Sequence, residues 1–134
     1  MSSLSIKDSA HLRDVLTQRR RELATEVQDG VALRSGEESI AEQQGDAPDS
    51  GDSSVAAEIH DLRNAEIERD AGEIQAIEVA LARMDSGDYG SCSTCGEDIP
   101  LARMVAAPTA ERCIRCQTLW ESQHAMPGSG ASSL

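Results

Sequence analysis

A chain of 134 residues with no phenylalanine, one tyrosine and one tryptophan cannot build a large aromatic core, so long helices or a bound metal must supplement its burial. A formal charge of −12 excludes the classes of protein that grip a nucleic-acid backbone, which need surplus Lys and Arg to displace counterions. Met1 to Ala10 lacks the apolar core of a signal peptide and no apolar run approaches membrane-spanning length, so the sequence predicts a cytoplasmic protein that touches neither DNA nor membrane directly.

Residues 1–7 read as a flexible N-terminus, and residues 8–87 as two long amphipathic segments. In the first, Leu12, Leu16, Leu23, Val27 and Val31 recur at helical intervals among Arg, Gln and Glu, which predicts a helix from about Asp8 to about Leu33. The Ser35-Gly36 pair marks its exit, although Glu37 to Gln44 could carry it further with a bend. Arg13, Arg19, Arg20 and Arg21 make this segment basic, whereas Ser35 to Leu62 holds eight acids and no Lys or Arg.

Residues 45–54, GDAPDSGDSS, form a turn-rich loop, with Ser53 or Ser54 placed to cap a second helix. That helix carries Ile59, Leu62, Ile67, Ala71, Ile74, Ile77, Leu81 and Met84 on one seam and ends near Ser86-Gly87. Two such segments joined by a short loop fold most simply as an antiparallel helical hairpin, a coiled coil whose tip lies about 40 Å from its base. Periodicity alone also allows a helical bundle or a homodimeric coiled coil.

Residues 88–126 carry Cys92-x2-Cys95 and Cys113-x2-Cys116, separated by seventeen residues. This is the spacing at which two knuckles close a tetrahedral thiolate site around one zinc ion. Four thiolates fill the coordination sphere, leaving no position for substrate, so the ion is expected to be structural and the protein not an enzyme. A thioredoxin-like site would need a βαβ context, and paired disulfides an oxidising compartment. His11, His60 and His124 stand at no ligand spacing and are expected at the surface.

Gly90 and Gly96 flank the first knuckle, where tight turns need positive φ. Pro108 and Thr109 are placed to launch a helix bearing the second pair and running through Trp120, with Ile114, Leu119 and Trp120 packing back on the hairpin root. Residues 127–134 read as a flexible tail. The fold class expected is therefore mainly α: a helical hairpin, a small four-cysteine module and a C-terminal helix.

The strings DYGSCSTCGEDIP at Asp88 to Pro100 and APTAERCIRC at Ala107 to Cys116 resemble the TraR/DksA family of zinc-finger transcription regulators, and the likeness extends from about Asp8 to Trp120. The resemblance implies that the hairpin enters the secondary channel of bacterial RNA polymerase without touching DNA and destabilises open complexes at sensitive promoters. In the family the tip carries Asp-x-x-Asp-x-Ala near the polymerase active centre; Asp49, Asp52 and Ser54 fall at those places here, with Ser replacing Ala. Without the resemblance both acids read as ordinary turn formers.

Arg69 matches a basic family position at the polymerase rim, and otherwise reads as a solvated arginine. The basic positions that help the family bind the alarmone guanosine tetraphosphate (ppGpp) correspond to Ala76, Ala107 and Gln117, none of which supplies positive charge. Weak or absent alarmone enhancement is expected. The sequence also admits a zinc-braced interaction module for another partner and a thiol redox sensor.

Overall fold

The computed structural model describes residues 4–43 and 50–124, with side chains at 4–39 and 54–124. Four helices follow in order: α1 (Ile6–Gln43), α2 (Ser50–Ser86), α3 (Leu101–Ala106) and α4 (Ile114–Gln123). The chain divides into two compact units, one of Thr17–Ile77 and the other of Met1–Leu16 with Glu78–Leu134.

α1 starts earlier than its apolar pattern does. The Ser5 hydroxyl accepts the Asp8 backbone N–H at 3.0 Å, satisfying one of the donors that a helix start leaves free. α1 also passes through Ser35-Gly36 to Gln43 instead of ending there. In the Thr17–Ile77 unit its later turns are held to α2 by Arg34 Nη1 on Asn64 Oδ1 (3.1 Å), Arg63 Nη2 on Glu37 Oε1 (3.1 Å) and His60 beside Glu38 (3.8 Å). Those cross-helix pairs offset the roughly 1 kcal/mol that a mid-helix glycine costs.

The pairing is antiparallel. As the α1 partner advances from Arg19 to Arg34 and Glu37, the α2 partner retreats from Glu73 to Asn64 and Arg63. Arg19 grips Glu73 through two nitrogens, at 2.9 and 3.2 Å, and this hydrogen bond holds the Glu73 carboxyl below its ordinary range.

The apolar seam is shorter than its periodicity suggests. Leu23 and Ile77 are buried in this unit, but Ile59 and Leu62 are 46% and 64% exposed. Toward that end of α2 the helices are linked by the polar pairs Arg34–Asn64, Arg63–Glu37 and His60–Glu38. α2 itself begins at Ser50, so Ser50 to Ser54 are helical and not loop, and neither Ser53 nor Ser54 caps the helix. Serine and aspartate serve in a first turn as well as at a cap, so composition does not select among several serines.

Glycines in α1 and α2 separate into two kinds. A Cβ added at Gly30 would lie 3.0 Å from Ile67 Cγ1, whereas one added at Gly36 or Gly72 would meet nothing within 4 Å. Gly36→Ala and Gly72→Ala are each expected to stabilise by about 0.5–1 kcal/mol through helix propensity, and Gly30→Ala to lose that gain to the Ile67 contact. Denaturant midpoints of the three variants check this; an equal gain at Gly30 would contradict it.

In the other unit the buried hydrophobic residues are Leu12 and Leu16 of α1, Ala80 and Leu81 of α2, and Tyr89, Cys92, Ile99, Met104 and Cys116. Arg13 meets Asp85 at 2.7 Å on an exposed face, a contact worth little in water. α3 is too short to show a period in the sequence, yet it supplies Met104, which is fully buried. The expectation that Ile114, Leu119 and Trp120 pack inward is not met: they are 66%, 56% and 39% exposed. α4 instead turns Cys116 inward, and the buried apolar side chains of residues 88–113 are Tyr89, Cys92, Ile99 and Met104.

Candidate metal centre

α2 ends at Ser86, and Gly87 at φ 84° and Gly90 at φ 86° turn the chain into the first knuckle. An antiparallel bridge joins Ser91 to Asp98. Within it the Cys92 N–H donates to Glu97 O (2.7 Å), the Gly96 N–H to Cys92 O (2.9 Å) and the Cys95 N–H to Cys92 Sγ (3.4 Å). Gly96, at φ 78°, takes the left-handed corner that closes the loop, as its place after Cys95 predicts.

The second knuckle is built differently. Pro108 and Thr109 start no helix; they sit in a turn in which the Ala110 N–H donates to Ala107 O (2.9 Å) and the Tyr89 hydroxyl donates to Pro108 O (2.8 Å). Cys113 is the N-cap residue of α4 and Cys116 lies in its first turn. The Ser93 N–H reaches Glu111 O at 2.8 Å and fastens one knuckle to the other.

The four sulfurs converge. All lie within 4.8 Å of one another, with Cys95 Sγ 3.9 Å from Cys113 Sγ. A tetrahedral zinc with bonds of about 2.3 Å sets its sulfurs about 3.8 Å apart, so the donor set fits that ion in type, number and spacing. All four cysteines are free. No histidine joins them: His60 lies by Glu38, and His124 stacks on Trp120 at 4.1 Å between ring centroids.

Crowding keeps the thiols from ionising alike. Burial pushes Cys92 up, but the backbone N–H groups of Cys95, Cys113 and Thr94 outweigh it and bring the thiol down to about 6. Cys116 is pushed up to about 12, first by the Cys113 side chain and then by burial. A divalent cation relieves that conflict, since it lets all four ionise together. Arg115 is held more firmly protonated than an ordinary arginine, first by a hydrogen bond to the Cys95 side chain. Sequence spacing found the four clustered cysteines but not Arg115, nor Arg83 and Arg103, whose hydrogen bonds support the two knuckles.

The remaining sequence candidates lie elsewhere. Asp49 is outside the described residues. The backbone of Asp52 is in the first turn of α2, its side chain is outside the described set, and Ser54 is exposed. Arg69 is exposed and lines a cleft of about 270 Å³ with Glu26, Asp29, Glu66 and Asp70. Ala76 and Ala107 are half-buried, and the Gln117 amide donates to Glu121 Oε2 at 2.9 Å, so no cation stands at these three positions.

Paired antiparallel helices followed by a convergent four-thiolate cluster define a helical-hairpin zinc-finger protein. Residues 87–119 match the prokaryotic dksA/traR C4-type zinc finger. Over 41 residues the chain is 49% identical to the RNA polymerase-binding transcription factor DksA of Haemophilus influenzae, and 44% identical over the same length to that of Escherichia coli. Each match takes in 31% of this chain and spans 28% and 27% of the respective relative. The fold is similar to the structure of transcription factor DksA2 from Pseudomonas aeruginosa, with a TM-score of 0.73 and 26% identity over 89% of this chain and 87% of that one. Residues 87–119 are a finger of the dksA/traR C4 type, and the four-cysteine cluster is a zinc-binding site. No helix among the described residues is long and apolar enough to cross a membrane.

Proposed function

We propose that this chain is a non-enzymatic transcription regulator that binds bacterial RNA polymerase in the cytoplasm and enters its secondary channel, away from DNA. One zinc ion braces the protein and takes no part in chemistry. The reading is supported above all by one coincidence: the finger at residues 87–119 and the helical fold over 89% of the chain both liken it to the same kind of protein.

In this reading Asp49 and Asp52, with Ser54 beside them, approach the polymerase active centre and weaken open complexes, and Arg69 meets the rim of the channel. An acidic protein is suited to a protein partner and not to a phosphate backbone. Ala76, Ala107 and Gln117 leave guanosine tetraphosphate without the cations it needs, so the alarmone adds little.

In vitro transcription from a ribosomal RNA promoter tests the tip. Wild-type protein should inhibit, Asp52→Asn should lose most of the inhibition while still binding polymerase, and added alarmone should change the wild-type curve little. Equal inhibition by wild type and variant would remove the tip from the mechanism.

A further inference from the structure

The peptide before the first cysteine of each pair is held in the same way. Ser91, which precedes Cys92, offers its carbonyl to Nη2 of Arg83, and Arg112, which precedes Cys113, offers its carbonyl to Nε of Arg103 at 3.0 Å. Both guanidinium bonds are partly buried, and each comes from a helix: α2 for Arg83 and α3 for Arg103.

Arg83 grips the first knuckle more than once. Its Nη2 also donates to Asp88 O at 3.0 Å, and its own carbonyl accepts the N–H groups of Asp88 (2.9 Å) and Tyr89 (3.1 Å). Its Nη1 is buried with no partner among the described residues, an arrangement that a side chain placed for solvation alone would avoid. The backbone carbonyl of Arg103 accepts the Ala107 N–H at 2.8 Å, the bond that closes α3.

Resting on the zinc-binding assignment above, we propose that Arg83 and Arg103 are positioning residues of the metal centre, each setting one CxxC loop before the ion arrives. A carbonyl fixed one residue before a ligand restricts the φ and ψ that aim its sulfur, so less ordering remains to be done when metal binds. Both guanidinium groups also bring positive charge to a module whose four thiolates and one divalent ion sum to a negative centre.

The test is a competition titration of the full chain with Zn²⁺ against a chromophoric chelator, together with the Co²⁺ ligand-field spectrum. Arg83→Ala and Arg103→Ala should each weaken zinc binding by roughly 10–100-fold and broaden or shift the Co²⁺ bands, while the exposed-residue variant Arg21→Ala changes neither. Wild-type affinity and spectrum in both alanine variants would overturn the proposal. Should an alanine variant fail to fold in excess zinc, Arg83→Lys and Arg103→Lys decide: weaker binding supports the proposal, since lysine keeps the charge but not the planar donor, and unchanged binding overturns it. If wild type itself bound no zinc, the assignment of the site would fail instead, which is a separate result.

Discussion

Stripping zinc with excess high-affinity chelator is expected to unfold residues 88–124 while most of the signal from α1 and α2 persists. This module has little else to hold it: its buried apolar side chains beyond the helices α1 and α2 are Tyr89, Cys92, Ile99, Met104 and Cys116, two of which belong to the four-cysteine cluster. Metal binding in small fingers is worth about 10–16 kcal/mol, which exceeds what so few apolar side chains contribute. The readout is Trp120, stacked on His124 and with Arg112 5.0 Å above its ring.

Its fluorescence should shift on chelation and return on adding zinc, while far-UV ellipticity falls only in part. Acid should act in the same direction. Thiolates bind zinc and thiols do not, so affinity is retained at neutral pH and lost as pH falls and all four sulfurs take up protons. Chelator-treated protein with unchanged tryptophan emission and unchanged melting would contradict a structural role for the ion.

The second large effect belongs to the Thr17–Ile77 unit. Leu23→Ala is expected to destabilise by about 3 kcal/mol, from the transfer of the lost methyl groups and from the cavity they leave. Leu23 is 0% exposed and shares the burial of this unit with Ile77, whereas Leu62 on the same predicted seam is 64% exposed. Leu62→Ala should therefore stay within about 0.5 kcal/mol of wild type. Urea unfolding of the two variants separates these readings, and equal losses would mean that the seam packs as its periodicity implies and not as described.

Much of the fold could be read from residue spacing, because long helices and paired knuckles repeat their signal. Leu12, Leu16, Leu23, Ile77 and Leu81 are buried as their intervals predict, and Gly90 and Gly96 take the positive φ that their places beside Cys92 and Cys95 require. The convergence of the four cysteines was legible for the same reason: two short loops at fixed separation leave few other uses for thiols.

What escaped was decided by contacts between distant segments. Ser35-Gly36 reads as a stop, yet Arg34, Glu37 and Glu38 find partners on α2 and draw the helix onward. Pro108-Thr109 reads as a start, yet the Tyr89 hydroxyl takes the Pro108 carbonyl and α4 waits for Cys113. α3 spans six residues, too few for a period to appear, and Arg83 and Arg103 announce themselves only through the carbonyls they reach.

Equilibrium binding of the zinc-loaded chain to core RNA polymerase tests the central claim most directly, with a protein already known to occupy the secondary channel as competitor. The account predicts saturable binding that the competitor displaces in full. Absence of saturable binding, or binding that survives saturating competitor, would contradict it.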